Sequence, residues 1–172
     1  FLWEDKMASN MSWDEEKLHL LSLPKDAEYY RLLSLDLEYQ TYHGFDTTVP
    51  ADSTVVGIFT AKLGYSDALI VQCLSSIYVY DMSEYSLNLR DGFPFIFDGK
   101  ASAPLSLQDI DGNGMLDILF ATSNRVYAID HYANLITPKT LDVGLADDGI
   151  SAGAIALDLD VDGSLKLCAA LN

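Results

Sequence analysis

Basic residues are scarce in this sequence. Ten lysines and arginines stand against 26 aspartates and glutamates, a formal net charge of −16. Phosphate backbones and anionic lipid surfaces are held by basic faces, so neither nucleic acid nor an anionic membrane surface is an expected partner. Long apolar runs are missing as well. None approaches the ~20 residues of a membrane-spanning helix, so no membrane insertion is expected. No signal-peptide pattern is visible. Cysteine occurs twice, at Cys73 and Cys168. Both are expected as small buried hydrophobes in separate repeats, too far apart for a disulfide, and they leave the redox compartment open. His19, His43 and His131 have no metal-ligand spacing, and His131, after a strand end, is expected at the surface. No Gly-x-Ser-x-Gly elbow, phosphate loop or dinucleotide fingerprint occurs. The pairs Asp147-Asp148 and Glu15-Glu16 read as solvated surface rather than as glycosidase carboxylates. No catalytic residue is assigned.

Apolar residues are abundant. Hydrophobic side chains make up 49% of 172 residues, enough for one ordered domain with a substantial core. The most informative stretch runs from Asp109 to Asp130. Its first nine residues, Asp-Ile-Asp-Gly-Asn-Gly-Met-Leu-Asp, put side-chain oxygens at Asp109, Asp111, Asn113 and Asp117, with Gly112 and Gly114 between them. A hard cation such as calcium takes six to eight oxygen ligands, and a tight loop supplies them when alternate side chains turn inward. Met115 would contribute its backbone carbonyl, since a thioether suits soft metals. Without a cation the carboxylates repel one another by about 1 kcal/mol per pair at ~4 Å in water. The loop is not an EF-hand, because position 12 is Phe120 and the following apolar runs, Ile118–Ala121 and Val126–Ile129 around a polar turn, read as a β-hairpin.

The chain also repeats. Asp67, Asp117 and Lys166 form a column spaced by 50 and 49 residues, each preceded three residues earlier by a glycine: Gly64, Gly114 and Gly163. Apolar runs follow the column at Ala68–Val71, Ile118–Ala121 and Leu167–Ala170. Ile77-Tyr78-Val79-Tyr80-Asp81 matches Val126-Tyr127-Ala128-Ile129-Asp130, and His43-Gly44-Phe45 echoes Asp91-Gly92-Phe93. A period near 50 built of short strands is the pattern of a propeller blade. The loops differ chemically between repeats. At the ligand positions the first holds Phe59, Ala61, Leu63 and Asp67, one carboxylate and hence a structural turn. The third holds Asp158, Asp160 and Asp162, with Ser164 in the place of Met115 and Lys166 in that of Asp117. An ammonium turned inward there would neutralise part of the carboxylate charge, so this possible second metal site is expected to stay empty or to bind more weakly; the alternative is a Lys166 facing solvent, with water in the ninth position.

Asp-x-Asp-Gly-Asn-Gly-x-x-Asp followed by a strand, a short turn and Val-Tyr-Ala-Ile-Asp resembles the FG-GAP/VCBS repeat family. That family builds the β-propellers of integrin alpha subunits and of many secreted bacterial proteins, with calcium loops between the first two strands of a blade. The resemblance is specific over residues 99–130 and weaker elsewhere. It implies an all-β fold of four-stranded antiparallel β-propeller blades, forming a partial propeller. It also implies a calcium cofactor, a secreted or cell-surface location, and a scaffold that binds a protein or glycan ligand in adhesion. The alternative is the propeller portion of a carbohydrate-active enzyme whose catalytic residues lie outside this segment.

The expected organisation follows the repeats. Residues 1–50 hold a lead-in and the outer strands of an incomplete blade, with residues 1–16 irregular and Trp3 and Trp13 covering an apolar edge. Residues 51–98 form a blade with the degenerate loop, 99–148 the blade with the calcium loop, and 149–172 the first strands of a further blade. Leu18–Leu23 and Tyr29–Tyr42 read as strand-like runs around a turn at Pro24-Lys25-Asp26, with a helix over 26–38 as the rival. Three blades do not close a ring, so the remaining blades are expected from the same chain or from another copy.

Overall fold

The computed structural model describes the backbone of residues 6–13, 17–123, 125–136, 141–142, 150–157 and 166–171, and the side chains of 17–123, 125–136 and 154. Among the described residues the chain is all-β, 59% strand without helix, and every sheet is antiparallel. The first sheet is β1 (Lys6–Trp13), β2 (Lys17–Leu23), β3 (Tyr29–Asp36) and β4 (Thr41–Pro50), paired in chain order. The second is β5 (Val55–Leu63), β6 (Ser66–Cys73), β7 (Ser76–Met82) and β8 (Leu87–Leu89), with β9 (Phe95–Ile96) also paired to β7. The third is β10 (Ser106–Gln108), β11 (Asp117–Ala121), β12 (Arg125–Ile129) and β13 (Leu141–Asp142). β14 (Ile150–Leu157) and β15 (Lys166–Leu171) form a two-stranded fourth. Among the described residues the sheets close into neither a barrel nor a propeller ring.

The side-chain period of two explains why the central strands are apolar throughout. On β6, Ala68 and Ile70 join Leu63, Ile77 and Val79 in a core shared with Phe97, Leu105, Ile118 and Phe120 of the third sheet and its approach. The intervening Leu69 and Val71 face the other way, into a core with Leu21, Leu32 and Val49 of the first sheet. β11 repeats the arrangement. Ile118 and Phe120 serve the former core, whereas Leu119 and Ala121 pack towards Ala154 of the fourth sheet. Three successive cores thus interleave four sheets. Each fully buried Leu, Ile or Phe contributes roughly 1.5–3 kcal/mol of transfer free energy. Phe120 lies stacked on Tyr127 at 4.9 Å and tilted against Phe97 at 4.7 Å, an aromatic cluster that joins the third sheet to the incoming segment.

Polar pins fix these layers relative to one another. Gln72 is fully buried; its Nε2 donates to the Ala103 carbonyl at 3.1 Å, and its Oε1 accepts from the Leu105 amide at 2.8 Å. The side-chain amide replaces a strand partner for a buried connector, which otherwise would leave backbone groups unpaired. The Tyr80 hydroxyl accepts from the Thr48 amide at 2.9 Å and ties β7 to β4.

One expectation changes, and one rival reading falls away. Lys6–Trp13, expected to be irregular, is strand β1, and it pairs with β2 from Lys6↔Leu23 to Trp13↔Leu18. Its polar residues alternate with Met7, Met11 and Trp13 too loosely to signal a strand, and pairing with β2 supplies what local pattern lacks. The first sheet therefore holds four strands of its own between residues 6 and 50. The rival helix over 26–38 is absent: Asp26 adopts a φ of 61° in the β2–β3 turn, and β3 follows. Trp3 and the side chain of Trp13 lie outside the described residues, as do the residue 143–149 connector and the side chain of Cys168. Cys73 is a buried free thiol, and burial pushes its pKa up to about 11.

Candidate metal centre

The loop from Asp109 to Leu116 joins β10 to β11, and the pair Gln108↔Asp117 clamps its two ends together. Inside this clamp the aspartates fold the backbone around themselves. Asp109 Oδ1 accepts from the amides of Gly112 at 2.8 Å and Asn113 at 3.1 Å, and Asp109 Oδ2 accepts from Gly114 at 2.8 Å. Asp111 Oδ1 also accepts from the Asn113 amide, at 3.1 Å. Such side-chain-to-backbone bonds are what aspartate and asparagine offer a tight turn. Gly112 and Gly114 have φ of 76° and 84°, the left-handed region that a side chain disfavours.

This folding gathers carboxylates. Asp109, Asp111 and Asp117 each offer an oxygen within 4.8 Å of the others. Oxygens on opposite sides of a calcium ion stand at most about 5 Å apart, given Ca–O distances of roughly 2.3–2.6 Å. The three differ in exposure: Asp109 is half-buried, Asp111 exposed and Asp117 fully buried. Asp117 Oδ2 accepts from the Ile110 amide at 2.8 Å, whereas Oδ1 is buried and has no hydrogen-bond partner. Burial is the largest cause that pushes the Asp117 carboxyl above its ordinary value; the charges of Asp111 and Asp109 add to it, and the Ile110 and Asp111 amides offset it in part. A buried carboxylate oxygen without a donor, facing like charge, is costly by itself and is relieved by a cation. The donor set is entirely oxygen, which suits hard cations and gives no reason to expect zinc or copper.

Asn113 is placed differently from the three aspartates. Its Oδ1 accepts from the Met115 amide at 2.8 Å, and its Nδ2 donates to Asp111 Oδ2 at 3.0 Å. Its oxygen keeps a second lone pair, so it serves the turn and can still serve a cation. Met115 is half-buried at the end of the loop. The possible second site, Asp158, Asp160, Asp162 and Ser164, lies outside the described residues; Lys166 opens β15. In the first repeat Phe59, Ala61 and Leu63 belong to β5, and Gly64 and Tyr65 form a two-residue hairpin closed by Leu63↔Ser66. Asp67 lies in β6, exposed, and no carboxylate cluster forms there among the described residues.

A second polar centre, not expected from the sequence, gathers around Arg90. Arg90 is buried, and its Nε and Nη2 both donate to Asp81 Oδ1, at 3.0 and 2.6 Å. Nη2 donates also to Ser66 Oγ at 2.7 Å, and Nη1 to the His131 carbonyl at 3.4 Å. Partial burial raises the Asp81 pKa, but its bonds to Arg90 and Ser66 outweigh this and leave it lowered. The available signal was the column shared by Asp81 and Asp130 together with an arginine beside Asp91-Gly92. Asp130 does something else: it caps its own turn, accepting from the amides of Tyr132 and Asn134, each at 2.8 Å. His131, expected at the surface, is half-buried, because that turn docks on the second sheet and encloses its Nδ1.

Compared with known proteins, the chain matches no family model and no curated protein.

Proposed function

We propose that the chain is a calcium-binding repeat module of a secreted or cell-surface protein. Its stacked antiparallel sheets are blades of a β-propeller completed by further blades, and it acts as a scaffold for a protein or glycan ligand. The observation that carries the calcium reading is the buried, partnerless Asp117 Oδ1 beside Asp109 and Asp111. The blade reading is supported by sheets whose main path pairs up to four strands in chain order, β9 lying off that path, stacked through successive cores. The loop lacks an adjacent nucleophile or base among the described residues, so the cation's role is structural: it neutralises the carboxylates and holds the β10–β11 connection rigid. A net charge of −16 is compatible with a calcium-rich exterior, where bound cations offset self-repulsion.

Isothermal titration calorimetry with calcium tests the reading. Saturable binding that is lost in Asp117→Ala supports it. Absence of heat at millimolar calcium, with the protein folded, overturns it.

A further inference from the structure

A cavity of about 310 Å³ opens where the β5–β6 hairpin, the end of β8 and the turn after β12 meet. It lies at the small end of the roughly 300–1,000 Å³ of ligand pockets, and no residue of the carboxylate loop lines it. Its walls are built rather than incidental. Gly92, at φ +90°, lets the Tyr132 carbonyl approach to within 2.4 Å of where a Cβ would stand, and Gly64 similarly admits the His131 ring at 2.8 Å. The Arg90 bond to the His131 carbonyl closes the same junction.

The lining chemistry selects a ligand. Tyr65 and Tyr132 are 83% and 55% exposed, so their rings are open to contact. Asp81 Oδ1 takes all three bonds from Arg90 and Ser66, which leaves Oδ2 as an acceptor without a partner among the described residues. Arg90 carries five N–H donors, and one on Nη1 remains after its bonds to Asp81, Ser66 and His131. Asp91 adds an exposed carboxylate. Arg90 is already paired with Asp81, so an anion meets the Asp91 carboxylate without a free positive charge to hold it, and a cation finds only that solvent-screened carboxylate beside the guanidinium. A neutral polyol meets neither penalty: adjacent hydroxyls donate to Asp81 and Asp91 and accept from Arg90, while a C–H face rests on tyrosine.

The geometry points to a subsite for a neutral hexopyranose unit of a glycan, framed by Tyr65, Asp81, Arg90, Asp91 and Tyr132. This rests on the ligand-binding scaffold reading above and not on its calcium loop.

The test is an amide ¹H–¹⁵N NMR titration of the whole chain in calcium, with methyl α-D-mannopyranoside, methyl β-D-galactopyranoside and methyl α-L-fucopyranoside at up to tens of millimolar. N-acetyl-lysine amide and inorganic phosphate serve as charged probes. At least one glycoside is expected to shift the amides of 64–66, 90–92 and 131–133 saturably. Tyr65→Ala, at an exposed ring that the fold does not need, is expected to weaken that binding about tenfold. Absence of saturable shifts there with every glycoside, a stronger response to either charged probe, or unchanged affinity in Tyr65→Ala overturns the inference. Calcium titrated into a separate, calcium-free sample reports on residues 109–117. Failure of the glycosides with calcium bound therefore sinks the subsite alone, and failure of calcium sinks the metal reading alone.

Discussion

Replacing Asp117 by asparagine separates the cost of its charge from the shape of its side chain. In calcium-free protein the Asp117 carboxylate faces Asp109 and Asp111 within 4.8 Å. Each such pair costs about 1 kcal/mol at the water limit and about 4 kcal/mol at an effective dielectric of 20. Asp111 is exposed and Asp109 half-buried, which places the relief near the lower limit, about 2 kcal/mol for two pairs. Against this, the Ile110 amide exchanges a carboxylate acceptor for an amide oxygen, a loss of about 1 kcal/mol. The new Nδ2 stands where Oδ1 had no partner and gains the neighbouring carboxylates as acceptors. Asp117→Asn should therefore be more stable than the parent in chelator by about 1 kcal/mol, a rise in Tm of roughly 2–4 °C. Calcium at ten times its Kd stabilises the parent by about 1.4 kcal/mol, and that increment should vanish in the variant. The pH dependence has a definite sign. The folded pKa of Asp117 is raised above its ordinary 3.8, so its contribution is fully present below 3.8 and is lost as pH rises through the folded value. The advantage of the variant should accordingly shrink as calcium-free samples are acidified towards 3.8. Thermal unfolding followed by circular dichroism, with chelator and with calcium, measures each quantity. A variant less stable than its parent in chelator, or one still stabilised by calcium, refutes the reasoning.

Two further substitutions test the framework around the site. Gly92→Ala puts a Cβ 2.4 Å from the Tyr132 carbonyl at a φ of +90°, so it should destabilise by about 1–3 kcal/mol, read by urea unfolding. Gln72→Leu keeps the volume but strands the Leu105 amide and the Ala103 carbonyl, and should cost about 2–4 kcal/mol, read as a lowered urea midpoint at unchanged slope.

What was legible in the sequence follows from where local chemistry decides. Alternating oxygens around Gly112 and Gly114 fold their own loop through bonds to nearby amides, so the gathering of Asp109, Asp111 and Asp117 needs little outside help. Ile118–Ala121 and Val126–Ile129 read as a hairpin because both are apolar on both faces, and β11 and β12 pair there. β1 was invisible, since its register comes from β2 and not from its own pattern. The Arg90 network was equally hidden: Ser66, Asp81, Arg90 and His131 are separated by up to 65 residues and meet only after two sheets have packed. Asn113 illustrates a partial reading, for its oxygen was expected among the ligands and here also holds the Met115 amide.

The most direct measurement is a crystal structure of the chain grown in calcium, with anomalous data to identify the ion. One ion is expected within the loop, bound by Asp109, Asp111 and Asp117 at about 2.3–2.6 Å, with Asp117 Oδ1 among its ligands. A loop without an ion at millimolar calcium, with Asp117 Oδ1 hydrogen-bonded to water or protein instead, would contradict it.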